Sequence, residues 1–120
     1  MLRLNVNNET SRLKAVVLGI GNSLGSVPTA NECYDPKSRF HVLNRTYPLE
    51  IDILPQLDYF YKIFLKYNVK VFRPSILRNI NQIFSRDIGF VIGNKFFVSN
   101  TIKERSKEIE GLNDLLKKID

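Results

Sequence analysis

The sequence predicts a small α+β domain. Three features carry this reading: short valine-rich runs ended by glycine or proline, two longer segments whose apolar residues recur at three and four, and a Gly-Asn pair between two alternating apolar stretches. With 120 residues there is room for one domain, and 43% apolar with 25% charged residues is a globular balance that argues against disorder or a collagen-like chain.

Taken in order, Lys14 to Ile20 (KAVVLGI) reads as a buried strand, short, rich in valine and ended by glycine. Gly19, Gly21 and Gly25, with Asn22, Ser23, Ser26 and Pro28, then open a loop that runs to about Tyr47, with at most a short helical turn after Asp35-Pro36. A connection this long is uncommon in a compact domain and suggests a functional loop. A helix follows from about Leu49 or Leu54 to Tyr67, with Ile53, Leu57, Phe60, Phe64 and Tyr67 on one face. Pro55 suits a first helical turn, which favours the later start. Asn68 is the expected stop. Val69 to Phe72 reads as a second strand closed by Arg73-Pro74, and a strand, helix and strand in this order suggest a right-handed parallel crossover.

Next, Ile88 to Ile92 and Lys95 to Ser99 flank the turn pair Gly93-Asn94 and predict a hairpin. A last helix is expected from about Lys103 to Lys118, with Ile109, Leu112, Leu116 and Ile119 on one face, Leu115 beside it, and Lys117 and Lys118 in a last turn that favours cations. A strand–strand–helix unit normally returns its chain to the sheet, and nothing follows Asp120 to do so. The pattern therefore reads as interrupted: part of a larger domain, or a domain that completes its core by association.

Eighteen cationic against twelve anionic residues give a net charge of +6. The positive residues are scattered, and the densest stretch, Lys103 to Glu108, alternates sign. Nucleic-acid binders gather charge on one face, so neither nucleic acid nor a membrane surface is an expected partner. No apolar run is long enough to span a bilayer, no apolar segment follows a basic start, and the single cysteine fits a reducing compartment. A cytoplasmic location is the expectation.

Cys33 and His41, the only residues of their types, lie eight positions apart in the loop, where a nucleophile and a base could in principle meet. No oxyanion or orienting pattern accompanies them, so they read as incidental loop residues. With no histidine pair and no Cys-x-x-Cys, no metal site is expected. Gly19-Ile20-Gly21 after a strand resembles a phosphate loop, but Leu24 stands where the third spaced glycine belongs. The informative segment is Asn81 to Asp87. Arg86 and Asp87 interrupt an apolar stretch between Phe84 and Phe90, and an ion near apolar rings needs a partner. Bridging to surface groups is the plain structural explanation.

Asn81-x-x-Phe84-x-Arg86-Asp87, then Gly89 to Gly93, then Asn100 and Arg105-x-x-Glu108, resembles the guanidino-group-modifying enzymes of the pentein superfamily. Its members include arginine deiminases, glycine amidinotransferases and dimethylarginine dimethylaminohydrolases. Thr10 to Gly19 also resembles the family's opening strand, so the likeness spans about Glu9 to Leu116.

The resemblance implies an α/β propeller of five ββαβ modules around a pseudo-fivefold axis. Residues 1–120 would supply roughly the first two modules, as the N-terminal part of one amidinotransferase-like domain that stops before the catalytic histidine and cysteine. It further implies an attack by a cysteine thiolate on a guanidinium carbon, with no metal or organic cofactor. By resemblance Asp87 grips the guanidinium, Phe84 packs on the substrate, Asn81 and Arg105 reach its carboxylate end, and Arg86 and Glu108 brace the site. The Gly19 to Asn22 loop would lie beside the pocket. Cys33 and His41 stand at the wrong places for the family's catalytic pair, so no catalytic residue is assigned in this chain.

The expected function is part of an amidinotransferase or amidinohydrolase acting on arginine or a related guanidino or ureido compound, the chain alone being inactive. The alternative is a non-catalytic amino-acid-binding or interaction module of the same descent. Self-association, or pairing with a chain that carries the missing modules, is the expected partnership.

Overall fold

The computed structural model describes residues 1–120 as an α+β fold with two separate two-stranded sheets. In chain order it holds β1 (Ala15–Val17), α1 (Pro36–Leu43), α2 (Glu50–Lys66), β2 (Lys70–Phe72), β3 (Gly89–Ile92), β4 (Lys95–Val98) and α3 (Asn113–Leu116). Three short 3₁₀ segments, Ser85–Asp87, Lys103–Arg105 and Glu108–Leu112, complete it. No helix is long and apolar enough to cross a membrane.

β1 and β2 pair in parallel with Ala15 opposite Lys70 and Val17 opposite Phe72, so α2 is the crossover between them. Beyond β1 the chain stays buried through Leu18, Gly19, Ile20 and Gly21. Leu18 N–H still donates to Phe72 C=O, but Ile20 N–H turns to Gln82 C=O, which ends the ladder.

Of the two expected helix starts the earlier one, near Leu49, holds, and the favoured later one is corrected. α2 begins at Glu50, five residues before Pro55, and its first turn carries Glu50 and Asp52. Acidic side chains there complement the N-terminal end of the helix dipole. Proline in the sixth helical position leaves the Ile51 carbonyl without a helical donor, and Ile51 is 75% exposed, so water can serve it. The half-buried face is Ile53, Leu57, Tyr61, Ile63 and Phe64, whereas Phe60 and Tyr67 of the expected face are exposed. Ile53 and Leu57 press on Gly21, where a Cβ would lie 2.7 Å from Ile53 Cγ2. The helix stops as expected at Asn68. Its φ is +57°, and Val69 N–H donates to Phe64 C=O while Asn68 N–H donates to Leu65 C=O, the two bonds of a Schellman motif.

The loop after β1 holds more helix than a single turn. α1 has eight residues, started by Asp35, whose carboxylate accepts the Ser38 amide at 2.7 Å, and by Pro36 in the first helical position. It buries no residue, and Phe40 and Leu43 remain exposed.

The hairpin has the expected register, with Phe90 opposite Phe97 and Ile92 opposite Lys95. Gly93 holds φ +59° at the first turn position, which glycine adopts without a steric penalty. Phe90 and Phe97 stack at 5.4 Å on an exposed face, while Val91 and Phe96 turn toward the interior.

The expected helix from Lys103 to Lys118 is also corrected. It is broken into two 3₁₀ segments and the single turn of α3. Gly111 explains the break. Its C=O accepts Ser75 N–H at 2.8 Å, and a Cβ there would lie 2.6 Å from Gln82 Nε2. Docking of the backbone against Gln82 and Ser75 displaces regular helix.

The buried apolar residues are few: Leu18, Ile20, Val69, Ile88 and Leu112. They surround a polar seam. Gln82 donates to Ser75 C=O at 2.8 Å and accepts Leu77 N–H at 2.7 Å, and Ser85 Oγ donates to Val17 C=O at 3.2 Å. This seam joins β1 to the segment that carries Phe84, Arg86 and Asp87.

Candidate functional site

Asp87 ends the 3₁₀ turn Ser85–Asp87, and its N–H donates to Phe84 C=O at 3.1 Å. One tight turn therefore presents both Phe84, which is 52% exposed, and the Asp87 carboxylate, which is 40% exposed. The turn is anchored from below by buried Ser85 and, three residues earlier, by buried Gln82.

Arg105 reaches this turn from the other side. Its Nη1 donates to Asp87 Oδ2 at 2.9 Å and its Nη2 lies 3.4 Å from Phe84 C=O. The same guanidinium grips Glu108 side-on, Nε to Oε1 at 2.7 Å and Nη2 to Oε2 at 2.8 Å. Two parallel N–H···O bonds match the planar fork of arginine to a carboxylate. Glu108 is buried and Arg105 is half-buried, so the pair is shielded from solvent far more than the other ion pairs of the chain. The hydrogen bonds that Arg105 donates to Glu108 are the first cause, and those it donates to Asp87 a further one, that hold its pKa above an already high ordinary value.

The remaining positions named from the sequence lie around this clamp. Arg86 is exposed, with Nε 3.4 Å from Asp87 Oδ1. Asn81 is exposed and its Oδ1 accepts Ile83 N–H at 3.1 Å, which shapes the approach to the turn. Of the Gly19 to Asn22 loop, Gly19 C=O accepts from Arg73 Nη1 at 2.6 Å, and Asn22 is exposed. Cys33 and His41 are engaged within their own loop: Cys33 Sγ donates to Thr29 C=O at 3.5 Å, and His41 Nδ1 lies 2.8 Å from Thr46 Oγ1. No hydrogen bond joins the two to each other.

Two features were not singled out from the sequence. A small cavity of about 190 Å³ lies beside Arg105, with Ser99, Thr101 and Ser106 supplying hydroxyls and Asn100 an amide. Its signal was present in the run of polar residues around Asn100, between β4 and Arg105. Tyr34, from the long loop, lies within electrostatic reach of Arg105, Glu104 and Glu108, and partial burial raises its phenol pKa. Nothing local in the sequence ties Tyr34 to a charge cluster seventy residues away.

Chemically, the cluster offers two carboxylates against one internal guanidinium. One unit of negative charge is left over at Asp87, apart from the solvated Arg86. An exposed carboxylate oxygen beside an exposed aromatic ring suits a flat cation that can both accept ion pairing and stack. Comparison with protein-family models, curated proteins and solved structures finds no match for this chain.

Proposed function

We propose that this chain forms the guanidinium-gripping part of an amidinotransferase- or amidinohydrolase-type site, within a propeller of the pentein kind. In this reading Asp87 receives the guanidinium of arginine or a related guanidino or ureido compound, and Phe84 packs along its flat or aliphatic part. Arg105 and Asn81 meet the carboxylate end, while Glu108 holds Arg105 in place. The thiolate and the acid–base histidine come from polypeptide outside residues 1–120, so these residues bind substrate without breaking a C–N bond.

One observation carries the reading: Asp87 is half exposed beside Phe84, yet one of its oxygens already holds a guanidinium at 2.9 Å, that of Arg105. A carboxylate that accepts one guanidinium N–H and stays partly exposed keeps acceptor capacity for a second cation, which supports the reading.

The same contact favours a second reading, a non-catalytic amino-acid-binding or interaction module. Arg105 is committed to Asp87 and Glu108 and has one N–H left, so Asp87 can serve as a fixed member of a structural clamp. Titration of the protein with L-arginine and with L-lysine, followed by amide and Arg side-chain NMR shifts, separates the two. The enzyme-site reading expects arginine to shift the Asp87 amide and the Arg105 Nε signal, lysine to be much weaker, and Asp87→Ala to lower arginine affinity about tenfold or more. Identical responses to arginine and lysine would favour the clamp.

A further inference from the structure

β1 keeps an unpaired outer edge at Ala15 and β3 at Val91, and both residues line one apolar groove. Lys14 C=O accepts Lys70 N–H and Leu18 N–H donates to Phe72 C=O. Alternate residues of a strand point their peptide groups the same way, so those of Ala15 and Val17 turn away from β2. Val17 C=O takes the Ser85 hydroxyl; nothing meets Ala15. On β3, Ile88 C=O accepts Ser99 N–H, which sets Phe90 and Ile92 toward β4 and Val91 away from it. Gly93 has the same outward setting and exchanges two hydrogen bonds with Val6, at 2.7 and 2.9 Å, but the N-terminal segment diverges before it reaches Val91.

Between these edges lies a cavity of about 870 Å³ lined by Val16, Phe72, Val91, Phe96, Leu116 and Ile119 among others. Its rim is cationic. Arg3, Arg12 and Lys14 stand against the single carboxylate of Glu9. Arg3 pairs with Asp120 at 3.5 Å, whereas Arg12 and Lys14 have no carboxylate within ion-pair distance.

We propose that this groove takes an extended strand of a separate, acidic polypeptide. The strand pairs with the outer edge of β1, sets alternate apolar side chains into the cavity, and places carboxylates against Arg12 and Lys14. An exposed strand edge offers its peptide groups to another backbone, a pairing that a lipid tail cannot make. A second copy would bring the same cationic rim, on a chain of net charge +6, against its own image. The inference stands on the strand edges and the rim, independently of the guanidino reading.

The test uses the 120-residue chain and two labelled synthetic peptides. Both alternate valine and threonine; one is flanked by aspartate pairs, the other by lysine pairs. Fluorescence anisotropy should show the acidic peptide binding about tenfold tighter or more. The double variant Arg12→Glu with Lys14→Glu, both at exposed sites, should reverse that preference. Ala15→Pro removes an outward N–H and leaves the bonds to β2, so it should weaken binding about tenfold. Slowed exchange of the Ala15 amide on binding guards against the chance that the proline variant is merely misfolded. Equal affinity for the two peptides, or no binding of either, overturns the proposal. So does a dimer in sedimentation that Ala15→Pro dissociates, which assigns the groove to a second copy. Displacement of the peptide by sodium oleate, with Ala15 exchange unchanged throughout, assigns it to lipid and overturns the proposal equally.

Discussion

Arg105 divides its guanidinium between two carboxylates of unequal exposure. The Glu108 side chain is 5% exposed and that of Asp87 is 40% exposed. Removing a buried partner strands a charge that water cannot reach, whereas an exposed partner is partly replaced by solvent. Glu108→Ala should therefore destabilise the fold by about 3 kcal/mol, and Asp87→Asn by about 1 kcal/mol or less. Urea unfolding midpoints of the two variants check this, and equal losses would refute the division of labour. Because the partners raise a pKa that is already high, Arg105 stays cationic and contributes no titration of its own to the site.

At the scale of elements, α1 hangs on its cap, since it buries no residue. Hydrogen bonds from Ser38 lower the Asp35 pKa below its ordinary 3.8. A carboxylate with a lowered folded pKa stabilises the helix fully above its unfolded pKa, and that contribution disappears as pH falls through the folded value. Asp35→Asn should keep the cap and abolish the acid-range titration of the Ser38 amide shift, while Asp35→Ala should cost α1 about 1 kcal/mol. A Ser38 shift that titrates unchanged in the asparagine variant would rule out Asp35 as its source. Gly111 gives the opposite lesson. Alanine favours helix over glycine, yet a Cβ here meets Gln82 Nε2 at 2.6 Å and Ser75 C=O at 3.1 Å. Gly111→Ala should destabilise by about 2 kcal/mol through overpacking, read by thermal or urea unfolding; a stabilised variant would mean that the packing account of the broken helix is mistaken.

For the whole molecule, the Cα radius of gyration is 15.7 Å, against about 13.6 Å for a compact chain of this length. Phe90, Phe97, Ile92 and Val98 stay exposed on the hairpin, and Ile51, Tyr59 and Leu65 on α2. A native state this open exposes less new surface when it unfolds. The urea m-value should fall about a fifth below that of compact domains of equal length. A full-sized m-value would show that the chain in solution covers these faces, for instance by association, and concentration dependence of the midpoint would identify that case.

Local chemistry made several features readable before any fold was known. Gly93-Asn94 between alternating apolar runs specifies a hairpin, Asn68 a helix stop, and valine-rich runs either side of one amphipathic helix a parallel pair, because turn conformation and side-chain period are properties of neighbouring residues. The pairing of Arg105 with Glu108, three residues apart, is equally local, yet the sequence reading gave the two separate roles, one at the substrate's carboxylate end and one as a brace. Asp87 is another matter: eighteen residues from Arg105, it meets that guanidinium only because the Gln82–Ser85 seam docks on β1 and Gly111 packs beneath Gln82. The same docking breaks the C-terminal helix against its own periodicity and leaves Ala15 and Val91 facing an open groove. Such contacts depend on distant segments arriving together, which no repeat or spacing along the chain encodes.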